Sequence, residues 1–446
     1  MASRTLQTGL LSILTLSLLA LTFAQSSPPK RKKIKNFGAS LKRLKWDPQK
    51  NAAIDLAPAN SPAEEVEEGD VIRIDTSLVT SELLVVDRQG KNVPGLTADD
   101  FLVTENNEPQ KVEHFFKGDN VNVPRTIVLI IDYSDSQTPF LKNSIQAAKV
   151  MVDKLGPRDL MAIVTDDVEL LLDFTNEKKK LKDKLDDLLE RATTTKLFGN
   201  TKRVKLGRSM QYSALMATLN EAFTAEDIRP IVIFQTDGDE ALFLRNPVVT
   251  LTVPPNLKGE ALANAQKEVE DLQKQIREKV REFSLDDLYH VAEKSRATVY
   301  TVVPGSKLMG LTPQEQWDKV VNDRQMRIAE ILSKMPADPL GRFQTQLQLQ
   351  QLSRETPSNT AINASCQSAL FGVASLTGGW TEFLEKPEQA DAIYARIFSD
   401  INQRYIVGYY PTNKEHDGKR RKIDFEVKGH PDYQILGRRS YVAPKR

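Results

Sequence analysis

Four apolar runs, 126–131, 160–165, 231–234 and 298–303, carry almost no polar alternation. A strand with one wet face alternates apolar and polar residues, so runs like these must be covered on both faces. Amphipathic helical patterns lie between or beside them, at 145–155, 181–192, 214–223 and 285–294. Strand and helix in repetition are the mark of a parallel sheet with helices on either side. The fold class expected for 124–403 is therefore α/β, doubly wound.

The flanks read differently. Short strand-like runs at 71–75, 81–87, 101–105 and 111–116 are broken by turn signals at Arg88-Gln-Gly90 and Asn106-Asn107, giving a β-rich segment over 71–123. A second β segment covers 404–446. The two are expected to pack together as a small β-sandwich, which would make the α/β domain an insertion. Two helical insertions interrupt the α/β rhythm, at about 255–283 (Val269, Leu272, Ile276, Val280) and 306–366 (Trp317, Val320, Ile328, Leu332). Each leaves the carboxyl end of a strand, so both are expected on one face as a helical cap; the plainer reading is helices that pack on their own domain.

The N-terminus reads as an address rather than as fold. Residues 1–24 combine Arg4, a short apolar core and small residues ending at Ala24, the pattern of a signal peptide. That apolar stretch is short for a bilayer span, so the chain is expected to be exported, periplasmic or secreted. Residues 25–70 read as a flexible basic and Ala/Pro-rich linker. Its basic run, 30–45, suits peripheral contact with an anionic membrane, or equally a solvated tail. A formal net charge of +1 over 446 residues gives no bias towards nucleic acid. Cys366 is the sole cysteine, so no internal disulfide forms.

In an open α/β sheet, ligands sit at the carboxyl ends of the strands. Two of the apolar runs end there in polar sets: Asp132-x-Ser134-x-Ser136, and Thr236-Asp237-Gly238. Carboxylates and hydroxyls are hard oxygen donors, suited to Mg²⁺ or Ca²⁺ and poorly suited to zinc or copper. The competing reading of Ser134 or Ser136 is a cap on the next helix.

Together these motifs resemble the metal-ion-dependent adhesion site of von Willebrand factor A domains. The family's first loop reads Asp-x-Ser-x-Ser, a middle loop supplies a Thr, and a later strand ends in an Asp within Thr-Asp-Gly. The resemblance implies a metal set of Asp132, Ser134, Ser136, Ser209 and Asp237. Ser209 enters by aligning Gly207-Arg-Ser-Met-Gln-Tyr-Ser-Ala-Leu215 with the family's Gly-Gly-Thr-x-Leu-Tyr-Asp-Ala-Leu; serine keeps the hydroxyl in place of threonine. It also implies Mg²⁺, with Ca²⁺ or Mn²⁺ as alternatives, and a partner that presents a carboxylate to the ion. The stretches 87–101, 405–413 and 440–444 are similar to the flanks of exported members of this family found in Acidobacteria.

Three function classes follow. The first is a non-enzymatic adhesion module that engages an acidic group of a protein or surface ligand through the metal. The second is a metal-independent envelope scaffold that acts through its helical insertions and β domain. The third, a hydrolase, lacks support. None of His114, His290, His416 and His430 lies in the strand-exit loops, and neither a Gly-x-Ser-x-Gly elbow nor a P-loop occurs.

Overall fold

β7 (Arg125–Ile131) lies inside a six-stranded sheet and is paired on both sides. The computed structural model describes residues 33–47, 49, 52–55, 78–120, 122–193, 209–224, 227–240, 259–260, 263–264, 266–267, 283–333, 335–339, 341–342, 345–346, 349 and 356–444. The signal segment, the strand expected at 71–75 and most of the 255–283 insertion lie outside the described residues.

β8 (Leu160–Thr165) and β10 (Arg229–Gln235) flank β7, both parallel to it. β11 (Thr298–Pro304) and β12 (Thr381–Leu384) extend the sheet in parallel beyond β10. β9 (Glu169–Thr175) closes the other edge antiparallel to β8. The chain goes to β8 on one side of β7 and later returns to β10 on the other, so the sheet reverses direction between β7 and β10.

Helices cover both faces, which is why the strands need no polar alternation. Ile127, Leu129 and Ile131 face α1 (Thr138–Asp153), α2 (Lys178–Thr193) and α7 (Ala390–Gln403). Val128 and Ile130 point the other way, into a cluster with α3 (Gln211–Glu221), α4 (Leu285–Lys294) and α6 (Pro357–Thr377). The mixed α/β class is thus observed, with the central strands buried on both sides.

The flanking segments build two four-stranded sheets. One is ordered β15-β3-β13-β6 and the other β16-β14-β4-β5, so each mixes strands from before and after the α/β unit. The early strands are β3 (Val79–Val86), β4 (Phe101–Glu105), β5 (Glu108–Gln110) and β6 (His114–Lys117). The late strands are β13 (Tyr405–Tyr409), β14 (Arg420–Val427), β15 (Gln434–Leu436) and β16 (Ser440–Val442). Leu83, Phe101, Tyr405, Val407 and Phe425 share one core between the sheets. Buried Glu105 accepts from Tyr409 Oη at 3.0 Å and Tyr441 Oη at 2.9 Å, joining an early strand to two late ones.

Two places depart from the sequence reading. Part of the expected linker is ordered against the α/β unit. Ile34, Phe37 and Leu41 pack on its core, a hairpin forms from β1 (Leu44–Asp47) and β2 (Ala52–Asp55), and Glu221 accepts from the Gly38 and Ser40 amides at 2.8 Å. Apolar side chains at 34, 37, 41 and 44 give this stretch something to bury, which a solvated linker lacks. The insertion boundary drawn at 366 falls inside α6, where Cys366, Leu370 and Val373 are core residues. Before it, α5 (Pro313–Ser333) buries no side chain fully and lays Arg327 over the Phe140 ring of α1 at 5.8 Å.

The crossing between the two domains is closed by fully buried Arg229. It bonds Glu82 at 2.8 Å, the Gly118 carbonyl at 2.7 Å and the Ile401 carbonyl at 2.7 Å. Removing one member of a buried ion pair strands the other charge, at about 3–5 kcal/mol. Arg229→Ala is expected to lower unfolding free energy by that order in guanidinium titrations. A loss under about 1 kcal/mol would show that the crossing does not depend on it.

Candidate metal site at the sheet's reversal point

The loops after β7 and β10 leave adjacent strands at the reversal, with Ile131 opposite Gln235 in register. This is where an open α/β sheet opens a crevice for ligands. The Asp132 amide donates to the Gln235 carbonyl at 3.0 Å, so the two loops start as neighbours. Gly238 turns the second loop with φ of 74°; a Cβ there would meet Tyr212 Oη at 2.8 Å and Leu370 Cδ1 at 3.0 Å. Only glycine suits both the backbone and the space.

Asp132 is wholly buried and takes four donors. Its Oδ1 accepts from the Ser134 amide at 3.0 Å and Ser134 Oγ at 2.5 Å; its Oδ2 accepts from Thr236 Oγ1 at 2.7 Å and Gln211 Nε2 at 2.9 Å. Ser134 Oγ lies 3.3 Å from Ser136 Oγ, which donates to Asp237 Oδ2 at 2.6 Å. Gln137 Nε2 also donates to Asp237 Oδ2, at 2.8 Å. A continuous chain of oxygens therefore links Asp132, Ser134, Ser136 and Asp237.

Ser209 meets this group differently. It sits with φ of 55° just before α3, and its amide donates to Asp166 Oδ2 at 2.8 Å. Asp166, at the exit of β8, accepts from the Tyr133 amide at 3.1 Å through its other oxygen. Ser209 is thus tied to the first loop through Asp166, by its backbone.

Several site residues were not anticipated from sequence: Gln137, Asp166, Gln211 and Glu240. Glu240 Oε2 accepts from the Tyr212 amide at 2.5 Å and its Oε1 from Ser213 Oγ at 3.0 Å, which fixes the start of α3 against the Asp237 loop. A carboxylate suits the amide-rich start of a helix. Asp166 was findable, because the strand-end rule applies to β8 as much as to β7. Gln211 had no signal beyond its place two residues after Ser209.

The electrostatics are one-sided. Burial, and then the Asp237 and Asp166 carboxylates, push the Asp132 carboxyl up to about 8. Burial likewise raises Asp166 to about 6, opposed by the Tyr133 and Ser209 amides. All four donors to Asp132 are neutral groups. A divalent cation fits such a set: hard oxygens, two carboxylates close together and hydroxyls between them. Among the described residues no group of three or more His, Cys, Asp or Glu is arranged to hold a metal, so a cation here would rely largely on hydroxyl oxygens.

No protein-family model and no curated protein matches the chain. Among solved structures it is similar to BatB from Bacteroides thetaiotaomicron, at 16% identity over 41% of this chain and 67% of that one, with a TM-score of 0.23. An aerotolerance-related membrane protein from Bacteroides fragilis aligns at 13% identity over 63% and 98%, TM-score 0.27. The manganese-loaded TRAP protein of Plasmodium vivax aligns at 10% over 76% and 97%, TM-score 0.24. At such scores the fold rests on this chain's own strand order.

A raised folded-state pKa means that folded Asp132 holds a proton the unfolded chain, near 3.9, releases. That contribution is present below about 4 and is lost as pH rises through about 8. In chelator, the melting temperature of the native protein should therefore fall from about pH 5 to about pH 8 more steeply than that of Asp132→Asn. Equal slopes by differential scanning fluorimetry would show that Asp132 does not titrate in that window.

Proposed function

We propose that this chain is an exported, non-enzymatic binding module of von Willebrand factor A type. In this reading a divalent cation, Mg²⁺ or alternatively Ca²⁺ or Mn²⁺, held at the sheet's reversal point engages an acidic group of a protein or surface ligand. The observation that carries it is the oxygen chain from Asp132 through Ser134 and Ser136 to Asp237, contributed by adjacent strand exits. Asp132, Ser134, Ser136 and Asp237 would hold the ion directly or through water, with Ser209 or a neighbour completing the set. The ion supplies a Lewis-acidic position for a carboxylate. The loops fix its place, and the burial of Asp132 keeps water from competing for that oxygen.

The placement of α5 supports controlled access. Arg327 over Phe140 brings the helix to the first turn of α1, next to the Ser134–Ser136 loop. Binding rather than hydrolysis is favoured by the donor set itself, in which no histidine takes part. Export is supported by the pattern of residues 1–24, and no described helix is long and apolar enough to cross a membrane. The exposed Lys33, Lys35, Lys42 and Arg43 suit peripheral contact with an anionic surface.

A metal-independent scaffold is the second reading. It is favoured by the two glutamine amides that already cap the carboxylates. Calorimetric titration with Mg²⁺ separates the two: the native protein should give a saturable signal that Asp132→Ala loses. A flat titration of the native protein favours the scaffold.

A further inference from the structure

Gln137 and Gln211 share an arrangement that the adhesion-site resemblance does not account for. Each residue is 1% exposed. Each turns Nε2 onto a site carboxylate: Gln211 to Asp132 Oδ2 at 2.9 Å, Gln137 to Asp237 Oδ2 at 2.8 Å and Ser136 Oγ at 3.2 Å. In each, the carbonyl Oε1 is buried with no hydrogen-bond partner among the described residues. A buried amide oxygen without a partner loses its hydration with nothing in return, and two such atoms on amides of one site are unusual.

The two halves of an amide have opposite polarity and nearly the same shape. Nε2, with its partial positive charge, balances a carboxylate when no cation is near. Turning the amide about its last bond by half a revolution places Oε1 where Nε2 stood. Gln carbonyl oxygens are ordinary ligands for hard divalent cations. Resting on the binding reading above, we infer that Gln137 and Gln211 belong to the cation-binding set. They latch the carboxylates by Nε2 in the metal-free state and present Oε1 to the ion when it enters. Gln211 then takes the middle-loop place that the sequence alignment gave to Ser209: its side chain touches Asp132, whereas Ser209 meets the site through its backbone amide on Asp166. Unpartnered Oε1 atoms are what a latch leaves behind, since only one end of the amide is used at a time.

The test is Mn²⁺ binding by the full chain, read by water-proton relaxation, for native protein and the variants Gln211→Leu, Gln211→Glu, Gln137→Leu and Ser209→Ala. Each leucine variant should bind about ten-fold more weakly, Gln211→Glu should keep or gain affinity, and Ser209→Ala should stay near native. Melting temperature in chelator, measured on the same samples, screens for misfolding; Gln211→Glu keeps the test alive should a leucine variant fail to fold. In parallel, the side-chain amide signals of both glutamines should shift on Mg²⁺ addition in nitrogen-15 spectra. Leucine variants that bind Mn²⁺ as well as or better than native would overturn the ligand role, leaving the amides as latches that compete with the ion. Loss in Ser209→Ala with native affinity in the glutamine variants would overturn it too. Native protein that binds no Mn²⁺ at all would instead defeat the metal-binding reading, and the inference with it.

Discussion

The architecture turns on two buried arginines where the chain passes between its domains. It crosses twice, once entering the α/β unit after Gly118 and once leaving after Ile401. Arg229 bonds the carbonyls of both residues while pairing with Glu82 of the sandwich. Arg404 pairs with Asp400 at 2.9 Å and reaches the Gly378 carbonyl at 2.6 Å and the Glu82 carbonyl at 3.2 Å. Gly118 has no room for a Cβ, which would meet the carbonyls of Ile401 and Arg404 at 2.6 Å. The guanidinium fork satisfies several carbonyls from different segments at once, which no apolar contact can do. With the crossing closed, the sandwich and the sheet are set relative to each other.

That closure matters at the far end of the same strands. Arg229 begins β10, and Gln235 ends it beside Thr236 and Asp237; Arg125 begins β7, and Ile131 ends it beside Asp132. Arg125 is itself fixed by Asp159 and by Asn402 Oδ1 at 2.6 Å. The strand bases are locked by ion pairs and the strand ends carry the oxygens. The candidate site thus stands on rigid elements, as the proposed cation binding would require.

The oxygen cluster is in tension with its own surroundings. The Asp132 and Asp166 carboxylates lie where burial penalises charge, and neutral amides and hydroxyls are what surround them. Such a site is stable in either of two ways: by keeping protons and amide donors in place, or by taking up a cation. The two glutamines stand at the point where those alternatives meet.

Much of this was legible in the chain itself. The four runs without polar alternation dictated a doubly covered sheet, because apolar surface on both faces leaves no other packing. Strand-end chemistry marked Asp132, Ser134, Ser136 and Asp237, because residues next to buried strands have few places to go. The β character of both flanks was readable from turns and short apolar runs. What tertiary structure decided was everything that depends on distant residues meeting. Strands from 79–117 and 405–442 share two sheets, a basic stretch packs down through Ile34 and Leu41, and Gln211 joins the Ser134 and Thr236 hydroxyls on Asp132. Local pattern records how each segment hides its own apolar surface; which polar atoms end up facing one another is settled only when the segments close together.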